Sequence, residues 1–252
     1  MTVLEFGPVE LSVSNLKRSE AFYASVLGLS VLKRDDGLAL GVPGRELLRL
    51  RELPGASPAP RSAPGLFHFA LLVPTRADLG RFVRRAAGLG VPLGQSDHLV
   101  SEAFYLDDPD GHGIEVYRDR PRQEWRRDGS DIRMANAPVD LAGLFREAQG
   151  EWAGMPEGTT MGHVHLRVSD LAASEKFYVD TLGLDVTARS YPGALFVSAG
   201  GYHHHFGLNV WHSRGGTAAP EHSARLLSVT VRRPGEDADV RDPSGNLLRF
   251  RS

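Results

Sequence analysis

Ten histidines and no cysteine set the chemistry open to this 252-residue chain. Without thiolates, a metal ion would be held by imidazole nitrogen and carboxylate oxygen, donors that suit a harder ion than the usual cysteine-bound zinc. The histidines are clustered in strand-like segments. His68 opens HFALLV, and His163 and His165 stand two apart in HVHLRV, a spacing that puts both on one face of a strand. His203, His204 and His205 run together in GGYHHHFGLNVW. There, strand alternation places His203 and His205 on one side and His204 on the other. Glu115 lies in the apolar segment GIEVY, where an unpaired carboxylate would be costly. His112, His212 and His222 fall in turns or loops and acquire no role, and Trp125, Trp152 and Trp211 could wall a pocket, although core packing is the more frequent use of tryptophan.

The rest of the composition narrows the classes of partner. Lys and Arg number 29 against 31 Asp and Glu, for a net charge of −2, so no broad basic face exists for nucleic acid or an anionic membrane. No apolar run is long enough to span a bilayer, and the segment MTVLEFGPVELSV lacks the pattern of a secretion signal. A cytoplasmic protein acting on a small molecule is the expectation.

The elements that must position these side chains come in repeats. LSVSNLKRSEAFYASVLGLSV, from Leu11, returns 155 residues later as LRVSDLAASEKFYVDTLGLDV, with 12 of 21 positions identical. Each copy reads as a strand, a helix capped by Asn15 or Asp170, and a stop at Gly28 or Gly183. A weaker repeat relates DDPDGHGIEVY to RDPSGNLLRF at an offset of 134, so the last unit is shorter by 21 residues, largely its helix. The chain therefore reads as α+β, with four βαβββ modules at 5–52, 65–119, 161–212 and a truncated 222–252. Grouped along the sequence, these give a first domain at 1–120, a connector at 121–158 with a helix at 139–148, and a second domain at 159–252. An amphipathic stretch at 77–89 supplies the helix of module 2.

Repeated βαβββ units with DL…S…FY…LG signatures resemble the vicinal oxygen chelate superfamily of glyoxalases, bleomycin resistance proteins and extradiol dioxygenases. The resemblance covers nearly the whole chain and implies two incomplete barrels, with metal ligands on the first and last strands of modules. Module 2 carries a sharper match. His98-LVSEA-Phe104-Tyr105-LD-Asp108-Pro109-D-Gly111-HGI-Glu115 is similar to the pattern by which extradiol ring-cleavage dioxygenases are identified, with Ser96 departing from it. The whole chain is most similar to bacterial catechol-2,3-dioxygenase-like two-domain proteins.

What that resemblance implies can be carried over residue by residue. The ligand position of the first strands holds Pro8, His68, His163 and Leu226; that of the last strands holds Arg49, Glu115, Asn209 and Arg249. The implied metal set is His68, Glu115 and His163, two imidazoles and one carboxylate on Fe(II), with Mn(II), Zn(II) and Ni(II) as alternatives. Arg249 beside a dication is electrostatically unfavourable, so the active barrel is expected to pair modules 2 and 3, within one chain or across subunits, leaving modules 1 and 4 metal-free. His98 and Tyr105 are implied to hydrogen-bond substrate or bound oxygen, His204 or His205, from a run whose register stays open, to be the acid–base residue, and His165 and Asn209 to line the pocket. The expected reaction is extradiol cleavage of a catechol-like aromatic by O₂, in a chain that forms homodimers. A glyoxalase-like isomerase or transferase and a non-catalytic small-molecule-binding resistance protein are the alternatives.

Overall fold

The computed structural model describes residues 4–252. Module 1 comprises β1 (Glu5–Val13), α1 (Leu16–Ser25), β2 (Ser30–Asp35), β3 (Gly37–Val42) and β4 (Arg45–Glu52). Module 2 follows with β5 (Gly65–Leu72), α2 (Arg76–Gly88), β6 (Gly94–Asp97), β7 (Ser101–Asp107) and β8 (Gly113–Asp119). The connector holds α3 (Leu141–Glu147). Module 3 has β9 (Thr160–Arg167), α4 (Leu171–Glu175) prolonged by a π-helical turn over Lys176–Thr181, β10 (Asp185–Ala188), β11 (Ala194–Ser198) and β12 (Phe206–Asn209). Module 4 is reduced to β13 (Leu226–Arg232), β14 (Ala238–Arg241) and β15 (Leu247–Arg251), with a short link where the other modules have a helix.

The helices begin where the capping residues stand. The Asn15 and Asp170 carboxamide and carboxylate accept from the backbone N–H of Arg18 and Ala173 at 2.8 and 2.9 Å. Thr75 and Asp78 cap α2 reciprocally, and Leu79, Phe82, Val83 and Ala86 give that helix one buried stripe. After α1 and the π turn the chain reverses through Gly28 and Gly183 at φ +67° and +74°, where a Cβ would be strained.

Two large curled sheets result, beside two short two-stranded pairings. One runs β14-β15-β13-β1-β4-β3-β2, and the other β10-β11-β12-β9-β5-β8-β7-β6. The division by sheet is thus not the sequential grouping into 1–120 and 159–252: module 1 shares a sheet with module 4, and module 2 with module 3, within a single chain. The seams are antiparallel pairs of first strands, β1 with β13 and β5 with β9. First strands meet there with the middle of β1 and of β9 buried, and each of these strands hydrogen-bonds along both edges.

The sequential halves are tied in another way, by the repeated motifs themselves. The Tyr23 hydroxyl of the FY pair in module 1 donates to Asp108 of the Asp-Pro turn in module 2 at 2.9 Å. Tyr178 in module 3 donates likewise to Asp242 in module 4 at 3.2 Å. Both tyrosines are fully buried, so each hydroxyl needs the partner that the other motif supplies.

One close approach bears on the site. A Cβ at Gly162, at the start of β9, would lie 1.9 Å from the Tyr117 hydroxyl. Tyr117 is fully buried, and its ring packs on His163 at 4.8 Å. Gly162→Ala is therefore expected to cost about 1–3 kcal/mol by overpacking, read as a lower urea midpoint at unchanged m-value.

Candidate metal and active site

Glu115 on β8, Ala70 on β5 and His163 on β9 stand in one row across three adjacent strands. His68 lies two residues from Ala70 and so shares its face. Because Ala70 carries only a methyl group, the larger side chains on either side of it can converge above the sheet. His68 Nε2 and His163 Nε2 approach the same oxygen, Glu115 Oε2, at 3.0 and 3.2 Å. All three residues are buried, and one ligand atom from each lies within 4.8 Å of the others.

Their electrostatics suit a cation. Burial opposes a charge on Glu115, but the imidazoles of His163 and His68 outweigh it and hold the carboxyl well below its ordinary range. Burial pushes His163 down to about 4, against the opposing pull of Glu115. The neutral-pH state is thus one carboxylate and a neutral His163, the form in which these groups bind metals. Protein hydrogen bonds alone do not complete the cluster: His68 Nε2 is buried, close to Glu115 but outside hydrogen-bond geometry, and His163 Nδ1 is also without a partner. An unpartnered buried nitrogen aimed at a carboxylate is what a divalent ion between them would satisfy. These residues fit the metal that the sequence leads one to expect.

Above the cluster lies a cavity of about 300 Å³. His98, Tyr105 and His204 line it together with His68, Glu115 and His165. Its apolar walls are Phe67, Phe196, Tyr191 and Trp211, so Trp211 is a cavity residue and not core packing. Met134 and Asn136 of the connector close one side. The connector also sets a tautomer. His98 Nδ1 lies 2.9 Å from Ala135 O, so the proton sits on Nδ1 and Nε2 accepts from the Tyr105 hydroxyl at 2.7 Å. Burial and then the charge of Glu115 push the Tyr105 phenol well above its ordinary value, which keeps it a proton donor.

A second polar chain reaches the cavity from the opposite side. Asp119 Oδ1 accepts from His203 Nε2 at 2.8 Å, and His203 Nδ1 lies 2.8 Å from His204 Nδ1. With the His203 proton committed to Asp119, His204 donates from Nδ1 and retains a lone pair on Nε2. The His204 ring lies 4.2 Å from that of His163. Tyr202 bridges Asp119 and Tyr117 at 2.9 and 2.7 Å, and Trp125 packs on His203 at 5.2 Å.

Not every expected residue joins this group. The site expectation for His205 is corrected: the backbone reverses side at each residue of the run, and His205 Nδ1 turns away to Ser198 Oγ at 2.7 Å and the Ala199 N–H at 3.2 Å. Asn209 reaches the site through His165, at 3.0 Å between Nδ2 and Nε2, and through the Trp211 N–H, which donates to its Oδ1 at 3.3 Å, and does not stand beside the metal cluster. The register accounts for this, since Gly207 and not Asn209 pairs with His165, and its missing side chain leaves room for the His165 ring. His112 is buried and structural, its Nε2 2.9 Å from Ser12 O. Asp119, Tyr117 and Tyr202 were given no role from the sequence, because their contacts lie more than 80 residues apart, such as Asp119 with His203 at a separation of 84, and the connector wall was missed because it meets His98 and Ser96 across separations of 37 and 40.

The barrel of modules 1 and 4 has an ion pair network where the other has ligands. Arg249 donates to Glu10 at 2.8 Å, Arg51 also pairs with Glu10, and Ser228 Oγ donates to the same carboxylate at 3.0 Å. A buried acid neutralised by arginine has no capacity left for a metal.

Comparison with known proteins agrees with this architecture. The family model described as Glyoxalase/Bleomycin resistance protein/Dioxygenase superfamily matches residues 5–116 and 160–231. A protein of Bacillus subtilis (strain 168) named Catechol-2,3-dioxygenase is 46% identical over 239 residues, covering 92% of this chain and 83% of that protein. Among solved structures, a putative dioxygenase from Bacillus subtilis subsp. subtilis str. 168 superposes with a TM-score of 0.67 at 15% identity, covering 98% of this chain and 84% of that one. Glyoxalase I from Zea mays gives 0.60 at 17%, with 99% and 92% covered. The fold of these two is the same curled-sheet arrangement, and the chain belongs to the glyoxalase/bleomycin resistance protein/dioxygenase superfamily.

Proposed function

We propose that this protein is an Fe(II)-dependent extradiol dioxygenase that cleaves the ring of a catechol-like aromatic. The observation that carries the reading is a two-histidine, one-carboxylate cluster at the floor of an aromatic-walled cavity, with two separate proton-handling groups above it. The 46% identical relative named Catechol-2,3-dioxygenase supports it. His68, Glu115 and His163 would hold the ion, which when bound supplies coordination of both vicinal oxygens and electron transfer to O₂. The remaining chemistry falls to the chain. His204 Nε2 takes a proton from a catechol hydroxyl, and the Asp119–His203 pair fixes the tautomer that leaves this atom basic. Tyr105, whose proton goes to His98 Nε2, presents its oxygen to the cavity from the other side, where it can accept from a catechol hydroxyl. Phe196, Trp211 and Phe67 present the aromatic surfaces against which the ring would stack.

Protein loaded anaerobically with Fe(II) is expected to consume O₂ with catechols and release a yellow ring-opened product. Turnover of other substrates with Ni(II) or Zn(II), without O₂ uptake on any catechol, would overturn the assignment.

A further inference from the structure

We infer that a cationic recess beside the cavity, built from Arg61, Arg167 and His212, takes an anionic substituent on the aromatic ring, so that the preferred substrate is a carboxylated catechol. The inference rests on the dioxygenase reading and specifies its substrate class. The recess encloses about 500 Å³ and shares Phe67, His68 and Tyr105 with the cavity wall, so the two spaces adjoin at the edge of the metal cluster. Arg167 is the residue that demands a partner. It closes β9, four positions beyond His163, and is half-buried. Its Nε is fixed by Ala63 O at 3.2 Å, yet among the described residues its terminal nitrogens have no hydrogen bond and no carboxylate ion pair. Nearby charge makes this worse: burial and the like charge of Arg61 both push the Arg167 guanidinium below its ordinary value.

Two guanidiniums held near one another without a compensating acid form an anion site. The other half-buried arginines each set a terminal guanidinium nitrogen on an oxygen, as Arg76 does on Glu102 at 2.9 Å, Arg249 on Glu10 at 2.8 Å and Arg85 on Ser25 O at 2.9 Å. Asp107 also lines the recess, but it is exposed and forms no ion pair with either arginine among the described residues. A carboxylate on a short arm from the ring would accept from the free edge of Arg167 while both ring oxygens remain over His68, Glu115 and His163.

The test compares 3,4-dihydroxyphenylacetate with 4-ethylcatechol, which replaces the carboxylate by a methyl group. Dissociation constants are measured anaerobically on metal-loaded protein by calorimetry, and kcat/KM by O₂ uptake. Wild-type protein is expected to favour the carboxylated compound about tenfold or more in both. Arg167→Met is expected to remove that preference, Arg167→Lys to restore part of it, and Arg61→Ala, at an exposed position, to weaken it. No preference in the wild type, or equal losses for both compounds in Arg167→Met and Arg61→Ala, would overturn the subsite. Failure of the dioxygenase reading looks different: neither compound would elicit O₂ uptake, and the anaerobic binding ratio would then decide the recess by itself.

Discussion

Glu115→Gln is expected to leave the protein folded but strip it of bound metal and of O₂ uptake. The substitution preserves side-chain shape and removes the one negative charge that His68 and His163 share at 3.0 and 3.2 Å. For the metal-free fold the cost is moderate: the attraction lost outweighs the burial penalty relieved, but the amide leaves no charge unpaired on a neutral His163. For the loaded protein it is severe. Altering a group that merely supports a ligand costs about 10–100-fold in metal affinity, so loss of the anionic ligand itself is expected to exceed about a hundredfold. Two measurements check this. Elemental analysis of both proteins after identical loading should find the metal in the wild type alone. A thermal melt should show metal-dependent stabilisation of about 2.7 kcal/mol at a hundred times the dissociation constant in the wild type, and none in the variant. A variant that held its metal and its O₂ uptake would remove Glu115 from the site.

How much of this was legible in the residues varies with the range of the interactions. Helix starts were visible, because Asn15 and Asp170 act within three residues of themselves. Module limits were visible for the same reason, since alternation and turn residues are local. The pairing of modules 2 and 3 was reached by a charge argument, and the structure explains its success: Arg249 occupies a place that calls for an acid, and Glu10 of module 1 supplies it. Sequential grouping is silent on this, because first strands 95 residues apart, at His68 and His163, pair along their edges. The histidine run shows where legibility stops. Alternation said that His204 and His205 face opposite ways, but which of them faces the cavity was set by the entry of the loop and by the Ala199 N–H that captures His205. Asn209 was misplaced by a two-residue register difference that only the pairing of β9 with β12 reveals.

The second large effect is expected at His204. His204→Asn keeps a polar group of similar reach but lacks the ring nitrogen whose lone pair receives the catechol proton. Removal of a general base typically lowers turnover by about 10²–10⁴-fold, and kcat with catechol is expected to fall within that range. Metal content should be unchanged, because His204 packs against His163 without sharing its ligand atom. This separates the prediction from that for Glu115, where metal and activity vanish together. Asp119→Asn provides the finer test. Asparagine can present its amide to His203 Nε2 and force the His203 proton onto Nδ1, which in turn moves the His204 proton from Nδ1 to Nε2. The atom facing the substrate would then be a donor and no longer a base. A positioning role thus predicts that Asp119→Asn lowers kcat in the same direction as His204→Asn, with KM little altered, and that the double variant is no worse than His204→Asn alone. Additive losses in the double variant, or loss of metal from His204→Asn, would show that the Asp119–His203–His204 chain holds the fold and not the proton.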